Sequence, residues 1–250
     1  MSAILRTHLL SKSFGALKAN NEVTVSFQAG ARHALIGPNG AGKTTFINLL
    51  TGALAPTAGE VYLGDERVTH LRQHARVKRG MTRTFQINTL FPGLSALESV
   101  VLAACEREGR GGVWWRTVSA ERSAIDEARE ILSRLRLDRD ADTPTRALPY
   151  GKQRLLEIAL ALATRPTVLL LDEPAAGIPA ADSAELFQVI AQLPREVTVV
   201  FIEHDMNLVF RFAERITVLV GGTVLVEGTP DEIAHEPRVR EVYLGEAQHG

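Results

Sequence analysis

The stretch GPNGAGKTT, residues 37–45, decides how this chain is read. Gly37, Gly42, Lys43 and Thr44 meet the spacing G-x-x-x-x-G-K-[ST]. They lie between an apolar run, Ala34-Leu35-Ile36, and a helical pattern that includes Phe46, Ile47, Leu49 and Leu50. A strand that turns through glycines into a helix lets successive backbone N–H groups point inward as an anion-binding concavity, and the helix adds the positive end of its dipole. On this reading the loop formed by Gly37, Pro38, Asn39, Gly40, Ala41, Gly42, Lys43, Thr44 and Thr45 cradles phosphates. Lys43 reaches the β- and γ-phosphates, and the Thr44 hydroxyl ligates Mg2+. A plain glycine corner would explain the glycines but not the lysine-threonine pair behind them.

Composition narrows the classes. The chain has 250 residues, 45% hydrophobic and 23% charged, enough for a substantial core in one large domain or two small ones. A net charge of -1 with no basic stripe gives no expectation of nucleic-acid binding. The single cysteine, Cys105, excludes an internal disulfide and a cysteine metal cluster, and reads as a small buried hydrophobe on a helix. The opening MSAILRTHLL turns polar too soon for a signal peptide, and no apolar run approaches the ~18 residues of a membrane span, so a cytoplasmic chain is expected.

Val23, Val25 and Phe27 alternate with Thr24, Ser26 and Gln28, the pattern of a half-buried antiparallel strand, and further strands are expected at 3–10, 32–37 and 59–63. Residues 92–164 are mostly helical in pattern, with a helix expected over 119–136 from a Ser119 cap. A glycine-rich insert at 108–118, with Trp114 and Trp115, is expected to be a surface loop. From about residue 165 the pattern changes to continuous apolar runs, Val168–Leu171 and Val197–Ile202, around an amphipathic helix near 180–193, as in buried parallel strands with crossover helices.

The stretch VLLLDEP sets Asp172 and Glu173 at the end of a buried strand, where parallel sheets gather ligand groups. Asp172 is suited to hold Mg2+ through its water shell, and Glu173 to polarise an attacking water. In VTVVFIEHD, His204 ends another strand, placed to donate a hydrogen bond to a γ-phosphate.

With these residues in this order, the chain resembles the ATP-binding subunit of an ABC transporter, from Phe14 to the C-terminal VYLGEA. The resemblance implies an α/β fold: a P-loop NTPase (RecA-like) parallel-sheet core with an N-terminal antiparallel β subdomain over 1–91 and 165–250, and an inserted α-helical signature subdomain over 92–164. It implies ATP and Mg2+ as cofactors, Phe14 stacked on adenine, and Gln86 in RTFQ as a further Mg2+ ligand and catalytic residue beside Lys43, Glu173 and His204. The signature takes the form LPYGKQR, Leu148 to Arg154, with Tyr150, Gly151 and Lys152 contacting the nucleotide held by a facing cassette. Two departures stand out. Pro149 replaces the signature serine, removing a hydroxyl and an N–H, and Pro179 replaces the aspartate of AAGIPAAD, with Asp182 three residues further on.

RTFQINTLFPGLSALESVVLA, the signature tyrosine, DEPAAGIPAAD and YLGEA are similar to the ATPase subunits of bacterial branched-chain amino acid importers. Cassettes for urea, amides or aromatic acids look nearly the same, and the lipopolysaccharide-export cassette ends alike. The implied partners are a second cassette, with a heterodimer favoured over a homodimer, two membrane permeases, and indirectly a periplasmic binding protein. Such a subunit sits on the inner face of the membrane. Leu90, Phe91 and Leu94 either form a groove for a short permease helix or pack the helical subdomain. A non-transport ABC protein would favour paired cassettes or a basic face, and neither is present.

Overall fold

The computed structural model describes residues 2–84, 90–109 and 122–246. In chain order the elements are β1 (Ala3–Phe14), β2 (Leu17–Val23), β3 (Ser26–Gln28), β4 (Arg32–Ile36), α1 (Lys43–Thr51), β5 (Ala58–Leu63), β6 (Glu66–Arg67), α2 (Gln73–Val77) and β7 (Met81–Arg83). There follow α3 (Ala96–Arg107), α4 (Arg122–Arg134), α5 (Tyr150–Ala163), β8 (Val168–Asp172), α6 (Ala180–Ala191), β9 (Thr198–Ile202), α7 (Met206–Phe212), β10 (Arg215–Val220), β11 (Thr223–Gly228), α8 (Pro230–His235) and α9 (Pro237–Glu246). They form two compact units, one of residues 1–76, 170–174 and 194–250, the other of residues 77–169 and 175–193. The segment 92–164 lies within the second.

The first unit holds an antiparallel sheet in the order β2-β1-β5-β6, with β3 also on β1. The alternation of residues 23–28 is real, since Val23, Val25 and Phe27 are buried and Thr24 and Ser26 exposed. The expected single strand is nevertheless broken at Thr24-Val25. Side chains replace the ladder there: Val25 N–H donates to the Thr7 hydroxyl (3.0 Å), and Leu9 N–H to the Thr24 hydroxyl (2.9 Å). The second sheet of this unit runs β11-β10-β4-β9-β8. Its β4 is parallel to both β10 and β9, and all five β4 residues are buried, as a strand covered on both faces requires. His33 on β4 is fully buried and shares a 2.7 Å hydrogen bond with the Thr217 hydroxyl; burial, with Arg215 adding to it, pulls its pKa down to about 3 and keeps it neutral.

Helix α1 packs by Phe46, Ile47, Leu49 and Leu50, each 1% exposed or less, worth ~1.5–3 kcal/mol per side chain. Its C-terminus is closed by Arg76, itself 1% exposed, which donates to the carbonyls of Leu49 (2.8 Å), Leu50, Thr69 (2.7 Å) and Leu71 (3.0 Å). A cation at this end satisfies orphan carbonyls and opposes the negative pole of the helix. Burial lowers the guanidinium to about 10.

The second unit begins with β7, where the Gly80 carbonyl accepts from Thr167 and Val168 at the start of β8. Its helices α3, α4, α5 and α6 bury apolar faces against one another. On α4 these are Ala124, Ala128, Ile131 and Leu132, the i, i+4, i+7, i+8 stripe of an amphipathic helix. α3 starts with a reciprocal capping box between Ser95 and Glu98. Cys105 lies on α3 but is half-buried, not buried as expected, because it falls beside the stripe of Val100, Val101 and Ala104. The described helix α4 begins at Arg122; Ser119, Trp114 and Trp115 fall outside the described residues. Among the described residues no helix is long and apolar enough to cross a membrane.

Candidate functional site

The loop after β4 is shaped by close backbone approach. Gly37 has φ 153°, and a Cβ there would stand 2.1 Å from the Leu219 carbonyl oxygen; at Gly42, φ 92°, it would stand 2.3 Å from the Ala19 carbonyl oxygen. Only glycine fits either place. The turn is closed by the Ala41 N–H donating to the Pro38 carbonyl (3.1 Å) and pinned by Gly222 N–H on the Ala41 carbonyl (3.1 Å). The Asn20 side-chain amide donates to the Gly42 carbonyl (3.3 Å). α1 then starts with no side-chain cap and no acidic residue in its first turn, so no carboxylate of its own neutralises the positive end. Lys43, 7% exposed, donates to the carbonyls of Gly37 (2.6 Å) and Pro38 (2.9 Å). Thr44, Asn39 and Gly40 are exposed, Thr45 and Pro38 half-buried and Ala41 buried.

The parallel sheet gathers the remaining groups at the same edge. Leu35 of β4 pairs with Ile202 of β9, so the loop and His204 leave adjacent strands at their C-terminal ends. Glu173, directly after β8, donates its N–H to the Ile202 carbonyl (3.1 Å). Its φ of 50° is left-handed, a conformation that costs a side-chain-bearing residue roughly 1–2 kcal/mol. The strain goes with a specific contact: Glu173 Oε1 lies 2.6 Å from His204 Nε2, with both side chains about half exposed. Asp205, next along, caps α7 by accepting from the Asn207 N–H at 2.8 Å. A carboxylate bonded to an imidazole at a sheet edge is equipped to orient a water and hold its proton. Asp172, the last residue of β8, is half-buried.

No group of three or more His, Cys, Asp or Glu suited to a metal occurs among the described residues. Thr44 and Asp172 offer oxygen donors only, too few for a cage, but the set a hard cation takes when it keeps water and binds phosphate. Phe14, at the end of β1, is 50% exposed; the hairpin it belongs to touches the loop through Ala19 and Asn20 of β2. Gln86 lies outside the described residues.

The second unit carries Tyr150, Gly151 and Lys152 on the first turn of α5, behind Pro149 as its N-cap. A Cβ on Gly151 would meet nothing within 4 Å, so this face is open. Lys152 is paired with Asp140, Nζ to Oδ2 at 2.7 Å. Sequence reasoning missed what supports Tyr150. Its hydroxyl accepts from Arg154 (2.9 Å), and Arg154 donates to Glu157 Oε2 (3.1 Å). Glu157 is 2% exposed, and burial pushes its carboxyl up to about 7 against the pull of Arg154. The signal was the i, i+4, i+7 spacing of Tyr150, Arg154 and Glu157. Gly177, φ 77°, brings the AAGIPAAD turn against the Tyr150 ring, where an added Cβ would stand 3.4 Å from it. Pro179 is the N-cap of α6 and Asp182 sits in that helix's first turn.

The ABC transporter family matches residues 20–176, and the branched-chain amino acid ATP-binding cassette transporter family matches residues 223–249. The chain is 39% identical over 251 residues to the high-affinity branched-chain amino acid transport ATP-binding protein BraF of Pseudomonas aeruginosa, covering 98% of each. It is similar, at TM-score 0.87 and 29% identity, to the ADP conformation of an ATP-binding cassette of an ABC transporter, covering 98% of this chain and 100% of that one. A dimeric bacterial ABC transporter cassette matches at TM-score 0.74 and 28% identity, covering 90% of this chain and 98% of that one.

Proposed function

The chain belongs to the ABC transporter family of ATP-binding cassettes, and from that premise we propose that it powers an importer for branched-chain amino acids, the solutes named for its 39% identical relative. It binds ATP and hydrolyses it. The observation that carries the reading is the sheet edge where the glycine loop and the bonded pair Glu173–His204 leave neighbouring strands.

In this reading the backbone of residues 37–45 and Lys43 hold the β- and γ-phosphates, and Phe14 stacks on adenine. Thr44 and Asp172, with Gln86, hold Mg2+, which when bound supplies charge that offsets the phosphate oxygens. Glu173 orients the attacking water and takes its proton. The 2.6 Å bond to His204 Nε2 holds the Glu173 carboxylate in place before nucleotide binds, and with ATP present the imidazole N–H turns from Glu173 to the γ-phosphate. Lys43 breaks its bonds to the Gly37 and Pro38 carbonyls to reach the triphosphate.

ABC cassettes dimerise and work with membrane permeases. The finer proposal is a second, different cassette as partner, on the inner face of the cell membrane, with a periplasmic binding protein delivering solute. Tyr150, Gly151 and Lys152 meet the nucleotide of that partner, and Lys152 exchanges Asp140 for phosphate in doing so. Gly151 and its neighbours supply the donors, because Pro149 brings neither hydroxyl nor N–H. Phe91, 59% exposed, with Leu90 and Leu94, receives a permease helix.

Uptake of labelled leucine, isoleucine and valine by a strain lacking this gene tests the proposal. Uptake is expected to fall and to return with the intact gene. Unchanged uptake of all three would remove the solute class while leaving ATP hydrolysis in place.

A further inference from the structure

Lys12 offers an ammonium to the ring of Phe14: its Nζ lies 5.2 Å from the ring centroid and donates to the Ala55 carbonyl at 2.8 Å. The strand end that carries both residues is stapled to the segment between α1 and β5. Ser13 N–H donates to the Thr57 hydroxyl (3.0 Å), and Thr57 N–H donates to the Ser11 carbonyl (2.8 Å). Phe14 nonetheless stays 50% exposed, and no atom outside its own neighbours lies within 4 Å of a Cβ added at the adjoining Gly15. A tethered cation therefore engages the ring of a residue that stays half exposed.

We propose that Lys12 is a positioning residue for the nucleotide base: anchored on Ala55, it fixes the Phe14 ring and polarises it, so that the open face takes a purine. A cation on one face draws π-density toward itself, and the opposite face then stacks better on an electron-rich aromatic base. This makes the site favour nucleotides that carry such a base over bare polyphosphate. The staple also ties the base platform to the segment that follows α1. The proposal rests on the reading that Phe14 stacks on adenine.

The test is equilibrium binding of Mg-ATP and of inorganic tripolyphosphate to the full chain. Lys12→Met, which keeps the stem and drops the charge, is expected to weaken Mg-ATP by about 2–5-fold, through poorer stacking of the Phe14 ring on the base, and to weaken tripolyphosphate less. Lys12→Arg, which keeps a cation able to stack, is expected to restore Mg-ATP affinity. On a Phe14→Leu background Lys12→Met is expected to add nothing further. An equal loss on both ligands would make Lys12 a charge that attracts phosphate and overturn the proposal, as would a full Lys12→Met effect without the Phe14 ring. If Phe14→Leu weakens Mg-ATP and Lys12→Met does not, only the role of Lys12 falls. If Phe14→Leu binds Mg-ATP like the parent, the stacking reading falls and this one with it.

Discussion

Glu173 shows how much of the site a single residue carries. Among the described residues it is the one group at the sheet edge that combines a strained backbone, φ 50°, with a short bond to a histidine, 2.6 Å to His204 Nε2. Glutamine preserves the shape of the side chain and tolerates the same backbone, so the fold is spared while the proton acceptor is lost. Glu173→Gln is expected to lower ATP turnover by ~10²–10⁴-fold with Mg-ATP affinity retained, measured as phosphate release against equilibrium binding. Turnover at the parent rate would remove Glu173 from its role. The identity of this residue was readable from its place after an apolar run. Its left-handed backbone was not, since nothing in the local sequence demands φ above zero at a glutamate; it arises where the chain turns out of β8 while its N–H reaches the Ile202 carbonyl.

At the scale of elements, the helices of the second unit are tied by one carboxylate. Glu127 on α4 accepts from Arg107 on α3 (2.6 and 2.9 Å) and from Arg165 just after α5 (3.0 and 2.9 Å), while Arg107 also donates to the Ala163 carbonyl at the end of α5 (2.6 Å). The Arg107 hydrogen bonds, opposed by partial burial and helped by Arg165, hold the Glu127 carboxyl down at about 2. A depressed acid stabilises the fold above its unfolded value of 4.5, and that contribution disappears as the pH falls from 4.5 through about 2. Glu127→Gln is expected to lower stability at pH 7 by about 1.5–3 kcal/mol, and the gap to the parent should close at the acid end of a denaturant series. An equal gap at every pH would mean packing, not charge, is at work. The strands that sequence revealed, around 32–37, 59–63, 168–171 and 197–202, are those with apolar runs or alternation. β2 was not visible because LKANNEV buries only Asn20 and Val23, and its place is set by pairing with β1. For the same reason β1 runs on to Phe14 through the polar SKS, beyond the expected end at residue 10.

For the whole molecule, the proposed nucleotide site and the proposed signature turn sit in one chain of a family whose members dimerise. We expect Glu173→Gln protein mixed with the proposed second cassette to form a one-to-one complex in Mg-ATP that disperses in Mg-ADP, read by sedimentation. Equal association in both nucleotides would detach pairing from the triphosphate. The order of the sheet has its own outcome for biogenesis. Strand β4, which leads into the glycine loop, is flanked by β9 and β10, both from the last fifth or so of the chain. A nascent chain emerging from the ribosome thus displays that buried strand long before its neighbours are translated, and the loop is seated only as synthesis ends. A stop codon ahead of β9 would therefore leave β4, buried along all five of its residues, unpaired, a substrate for chaperones and proteases in place of an enzyme.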